Sequence, residues 1–250
     1  MRILGLSVGP IQTNAYVFAD EASGACAVID PGAEPDRIEG AVREAAGPDA
    51  RVVGILLTHA HLDHVGAVAE LRARTGAPVY LHPDDAGLYR SAPEQARAFG
   101  WGFPTPPEPD RWFADGDELE IGALRLFVRH APGHSPGHVV LVGPGVAFVG
   151  DCVFAGSIGR TDLPGGDGPT LLRSIRRTLL CLPDATVLYP GHGPETTVGR
   201  ERRSNPFLLG LVPDPRCLRC GAPVPDRPGC RARPCPNCGH PYPLGDCSDG

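Results

Sequence analysis

Lysine is absent from this 250-residue chain; all 23 of its basic residues are arginines. That excludes a Schiff-base lysine and the lysine of a phosphate-binding P-loop at once. No apolar run approaches the roughly 18 residues of a membrane span, and no charged-then-apolar leader opens the chain, so neither a membrane segment nor a secretory signal is expected. A net charge of −6 speaks against a general nucleic-acid binder. No repeat of 20–50 residues is present. What the chain does have is 42% hydrophobic and 21% charged residues, an ordinary globular balance.

Cysteine and proline divide the chain. Three cysteines (Cys26, Cys152, Cys181) are scattered through the first 210 residues, whereas Cys217, Cys220, Cys230, Cys235, Cys238 and Cys247 crowd the last 40. Nine of the 29 prolines follow Leu211, and the charge shifts from 18 arginines against 25 carboxylates over 1–210 to five against four over 211–250. Two domains are therefore expected, 1–210 and 211–250. In the first, apolar or β-branched runs at 2–8, 15–18, 25–29, 52–57, 79–81, 124–128, 139–142, 146–149 and 186–189 read as strands. Helical patterns lie at 35–46, 65–75 and 169–181. This order predicts an α/β layer architecture, sheets packed together with helices outside.

The chemistry concentrates at strand exits. After the run ending at Leu57 comes Thr58-His59-Ala60-His61-Leu62-Asp63-His64. In an extended stretch His59 and His61 point to one side and can share a cation, while Asp63 and His64 face a point a few ångströms away. His134, Asp151 and His192 each follow another apolar run and sit beside glycines. Imidazole-rich ligation suits zinc, iron or manganese over calcium or magnesium. His82 and His130 read as satisfied core histidines with no ligand role.

The His-x-His-x-Asp-His signature, followed in order by His134, Asp151 and His192, resembles the metallo-β-lactamase superfamily over about residues 1–210. The resemblance implies an αβ/βα four-layer sandwich. It implies one cation on His59, His61 and His134, a second on Asp63, His64 and His192, and Asp151 between them. It also implies hydrolysis by a hydroxide bridging two divalent metals, zinc favoured over iron or manganese, with Asp63 orienting the nucleophile as well as binding metal. The stretches Gly150-Asp-Cys-Val-Phe-Ala-Gly-Ser-Ile-Gly-Arg-Thr-Asp-Leu163 and Gly191-His-Gly-Pro-Glu-Thr-Thr-Val198 look like short bacterial glyoxalase II-like thioesterases (hydroxyacylglutathione hydrolases). That resemblance implies a small thioester substrate. The helical glutathione-binding domain of full-length glyoxalase II has no room here, since 24 residues separate His192 from Cys217. Arg160, Asp162, Arg202, Arg203 and Asn205 are candidate substrate contacts. For Arg160 and Asp162 the competing reading is a pair that orders its own loop; Arg202 and Arg203 read better as surface charges. The nearest rival is a persulfide dioxygenase, which would hold one iron on His59, His134 and Asp151.

Cys217-Leu-Arg-Cys220-Gly and Cys235-Pro-Asn-Cys238-Gly, with 14 residues between them, read as a zinc ribbon holding one structural zinc. Without an export signal the chain is expected in the cytoplasm, where thiols stay reduced and a disulfide knot is disfavoured. Cys230, Cys247 and His240 are bystanders or alternates. Such a module could serve a homodimer or another protein partner. A nucleic-acid-binding role for the ribbon is the reading from a different class, weakened by its small charge.

Overall fold

The computed structural model describes residues 1–211 and 222; the cysteines expected to form a zinc ribbon lie outside the described residues. Two six-stranded sheets stack face to face. The first runs β1 (Arg2–Val8), β2 (Thr13–Asp20), β3 (Ala25–Ile29), β4 (Arg51–Leu56), β5 (Val79–Leu81), β6 (Arg111–Trp112) in spatial order. The second contains β7 (Glu118–Ile121), β8 (Leu124–His130), β9 (Val139–Gly143), β10 (Val146–Gly150), β13 (Val187–Pro190) and β14 (Thr196–Thr197), ordered 14-13-10-9-8-7. A small hairpin, β11 (Val153–Phe154) with β12 (Ser157–Ile158), lies apart. Helices α1 (Pro35–Ala46), α2 (Leu62–Val65), α3 (Val68–Thr75) and α4 (Ala86–Ala98) connect the parallel strands of the first sheet; α5 (Gly168–Thr178) and α6 (Val198–Ser204) follow the second.

Strand periodicity builds the layers. In β2, Tyr16 and Phe18 face the second sheet, meeting Leu126, Leu141 and Phe148, while Val17 and Ala19 face Ile38 and Val42 of the helical layer. Across the second sheet, Val140, Ala147 and Val149 turn outward onto Leu171 and Ile175 of α5. Three cores therefore separate four layers, helix–sheet–sheet–helix. Because β3, β9 and β10 are buried on both faces, they read in the sequence as unbroken apolar runs.

Two of the expected helices are bounded differently, and one further helix is present. The pattern at 65–75 is broken: Gly66 packs so tightly on Gly32 that a Cβ would strike the Gly32 carbonyl, and the Ala67 N–H bonds to Pro31 O at 2.9 Å instead of continuing α2. The helix expected to reach residue 181 ends at Thr178. Helix α4, with Pro93 inside it, was not anticipated. No described helix is long and apolar enough to cross a membrane.

The sheets are tied where β2 begins and β13 ends. Asn14 N–H donates to Gly191 O (2.7 Å), Asn14 Nδ2 to Pro190 O (3.0 Å), and the Tyr16 hydroxyl also to Pro190 O (2.7 Å). This seam fixes the loop carrying His192 against the exits of the first sheet.

Candidate metal centre

His59, His61 and His134 form one group. Their ring centroids lie 4.6–4.8 Å apart and every pair is edge-to-face, with interplanar angles of 81–86°. Three imidazoles arranged this way present their nitrogens to a common point. His134 is oriented from behind: its Nδ1 lies 2.8 Å from Arg160 O, so the neutral ring donates there and leaves the Nε2 lone pair facing His61 Nδ1, 2.8 Å away. Burial, reinforced by neighbouring imidazoles, pushes His61 and His134 down to about 4 and holds His59 well below its ordinary value. All three are neutral near pH 7, the form that ligates a cation.

Asp63, His64 and His192 form the second group. Asp63 Oδ2 lies 3.2 Å from His192 Nε2 and 3.5 Å from His64 Nε2. Burial alone would raise the Asp63 carboxyl; His64, His192 and the Thr13 hydroxyl, which donates to Oδ2 at 2.7 Å, outweigh it and hold Asp63 well below the carboxylate range. His64 behaves oppositely. Burial would lower it, but Asp63, Asp151 and Asp30 push it up to about 10.

Asp151 stands between the groups. Its Oδ2 is 3.6 Å from both His134 Nε2 and His192 Nε2, and its Oδ1 is 3.5 Å from His64 Nε2. Gly191 makes this closeness feasible, since a Cβ there would collide with Asp151 Oδ1. The structure thus brings all seven candidate donors to one sheet edge. His59 Nε2, His64 Nε2 and Asp151 Oδ1 are buried without any hydrogen-bond partner. Polar atoms so placed are costly unless something ligates them. Two three-residue groups, each with donor atoms within 4.8 Å of one another, fit divalent metals that accept imidazole and carboxylate together.

Three residues that support the site escaped sequence reasoning. Asp30, at the end of β3, accepts from Thr58 N (2.7 Å) and Thr58 Oγ1 (2.6 Å) and lies 3.1 Å from His64 Nδ1, which turns Nε2 toward the aspartates. Asp85 accepts from Ala60 N, Ser135 Oγ and Gly137 N (2.6–3.0 Å), joining the His59–His61 segment to the His134 loop. His138 accepts the Asp151 N–H at 3.2 Å and stacks on His59. Their shared signal is a polar residue at, or just beyond, a strand end (His138 immediately precedes β9), the same signal that marks the ligands.

The remaining candidates are placed less centrally. Arg160 and Asp162 are exposed and grip each other through two 2.7 Å hydrogen bonds. Arg202 and Arg203 both pair with Asp184. Asn205 is fully buried, donating to Ser157 O and Glu201 Oε2, so its role is to hold the β11–β12 hairpin and not to touch substrate. His82 and His130 stack at 4.0 Å; although they group with Asp84, His82 Nδ1 already accepts the Asp84 N–H and His130 Nε2 lies 2.9 Å from Pro136 O.

Fold and donor set together define a metal-binding αβ/βα sandwich. Residues 8–192 match the family profile of the metallo-β-lactamase superfamily, and the chain belongs to that superfamily. It is 42% identical over 212 residues to the hydroxyacylglutathione hydrolase GloC of Haemophilus influenzae, covering 83% of this chain and 98% of that one. Two solved structures are similar over comparable shares of the chain. One is the B3 metallo-β-lactamase BLEG-1 (TM-score 0.76, 39% identity, 84% of this chain and 100% of that chain). The other is TTHA1623 in a di-iron-bound form (TM-score 0.74, 47% identity, 82% and 100%).

Proposed function

We propose that the protein is a metal-dependent thioesterase acting on substrates of the hydroxyacylglutathione type. The observation that carries this reading is the pair of donor groups sharing Asp151, in a chain whose similarity to a hydroxyacylglutathione hydrolase spans nearly all of that enzyme. Two divalent cations, zinc in our reading, would supply a hydroxide at neutral pH and offset the charge that develops on the thioester oxygen. His59, His61 and His134 would hold one, Asp63, His64 and His192 the other, with Asp151 reaching both. The chain's own part is positioning. The Thr13 hydroxyl locks Asp63, so that this carboxylate can hold a proton-bearing nucleophile in one orientation. The Arg160 carbonyl and Asp30 do the same for His134 and His64.

The test is metal content measured together with turnover of S-lactoylglutathione and simpler acyl thioesters by the full chain. Hydrolysis that is lost with a chelator and restored by zinc is expected. A single iron per site, with oxygen consumed and no thioester cleaved, would replace this reading by a mononuclear iron dioxygenase built on His59, His134 and Asp151.

A further inference from the structure

Beside the metal centre lies a cavity of about 340 Å³ whose wall includes Asp63 and Thr13. That volume falls in the ~300–1,000 Å³ range of small-molecule sites. One side is the turn between β1 and β2, where Ile11 is 43% exposed; the other is the segment after α4, which brings in Trp101 and Phe103, both half-buried. Leu62, one residue before Asp63, also lines the cavity. Phe103 lies over Gly66, where a Cβ would sit 3.5 Å from the ring.

The polar groups of this cavity are already engaged. Glu34 accepts the Gly9 N–H at 2.9 Å and pairs with Arg37, and Glu70 pairs with Arg74. Among the described residues no arginine lines the cavity. A carboxylate-bearing group entering it would lose water and meet the carboxylates of Glu34 and Glu70 with no arginine to pair with, the cation that Asp63 would hold being at the inner end alone. An aliphatic or aryl group would bury its surface against Ile11, Leu62, Trp101 and Phe103.

We propose that this cavity receives the acyl group of the substrate, and that this group is apolar and uncharged. The proposal rests on the thioesterase half of the proposed function and revises its hydroxyacyl half: acyl chains of several carbons are preferred over short, hydroxylated or anionic ones. Each methylene that enters should improve kcat/KM by up to about fourfold.

The experiment uses the full, zinc-loaded chain and thioesters of one small neutral thiol, N-acetylcysteamine, with acetyl, butanoyl, hexanoyl and succinyl groups. The expected kcat/KM rises at least about tenfold from acetyl to hexanoyl, with succinyl below butanoyl. Phe103→Ala and Ile11→Ser should each shrink the hexanoyl-to-acetyl ratio. A second readout does not need turnover. The sequence has two tryptophans, so in a Trp112→Phe background Trp101 alone emits and reports binding of the uncleavable S-hexyl thioether. Turnover with no dependence on chain length, or with succinyl preferred, overturns the cavity assignment and leaves the thioesterase reading intact. Thioether binding at Trp101 without cleavage of any thioester does the reverse.

Discussion

The two donor groups lie side by side, with Asp151 between them, yet differ in electrostatic character. The three-histidine group is buried among imidazoles, is uncharged near pH 7 and includes no carboxylate of its own. The aspartate group holds its charge through Asp63 and keeps His64 protonated through three surrounding carboxylates. One group is therefore ready to ligate as it stands, while the other must exchange a proton for its cation. Asp151 belongs to neither alone, which makes it the residue whose loss should cost most. In Asp151→Ala both cations should be retained poorly and turnover should fall by at least about 10³-fold, a modest part of the 10⁶-fold or greater acceleration that enzymes typically supply. His59→Ala should match that loss of turnover while keeping more metal, because the aspartate group remains whole. Elemental analysis beside a thioester assay separates the two; equal metal content in both variants would show that the groups are not distinct.

Most of the donors could be read without coordinates because each ends an apolar run, and a histidine where a buried strand emerges has few other reasons to be there. The bounds of β1, β3, β5 and α1 were legible for a related reason: burial on one or both faces leaves a pattern dense enough to delimit. Asp30 and Asp85 were not legible. A carboxylate after a strand looks like any loop residue until its partners are known, and theirs are Thr58 and Ala60, 28 and 25 residues further along or back. The break at Gly66 was hidden for the same cause, since the carbonyl that captures the Ala67 N–H belongs to Pro31. Helix α4 was lost to Pro93, which interrupts the periodicity without ending the helix.

Asp30 offers a finer way to sharpen the contrast. It touches the aspartate group only through His64, and groups that orient ligands from behind typically cost about 10–100-fold in metal affinity when removed. Asp30→Asn should weaken binding at the aspartate group by that factor and affect the three-histidine group less, because Asp30 reaches His59 only through the Thr58 hydroxyl, 3.1 Å from His59 Nδ1. The pH dependence carries the same signature. His64, at about 10, holds a proton near pH 7 that metal must displace, whereas His61 and His134, at about 4, have none to release. Binding at the aspartate group should therefore liberate the His64 proton and part of one from His192, which Asp63 and Asp151 raise against burial, and weaken as pH falls from 8 to 6, while the three-histidine group should hold its affinity until pH approaches 4. Calorimetric titrations in two buffers of different ionisation enthalpy measure that proton count directly. Because Asn at position 30 removes a negative charge from His64, the count should also drop in the variant.

The smallest effect is expected at Arg160, and it bears on which atoms of that residue matter. Its carbonyl orients His134, a task any residue at this position performs, while its guanidinium is fully engaged with Asp162 at the surface. Exposed pairs of this kind contribute little, so Arg160→Ala should change kcat/KM by no more than about twofold. A substrate contact predicts something else: the bidentate grip would be released from Asp162 to a carboxylate of the thiol carrier, and its removal would raise KM by about tenfold or more at unchanged kcat. Steady-state kinetics on a glutathione thioester and on its neutral N-acetylcysteamine counterpart distinguish these outcomes. If only the glutathione substrate suffers, the guanidinium reads the carrier; if neither does, the loop's contribution to the site is its backbone alone.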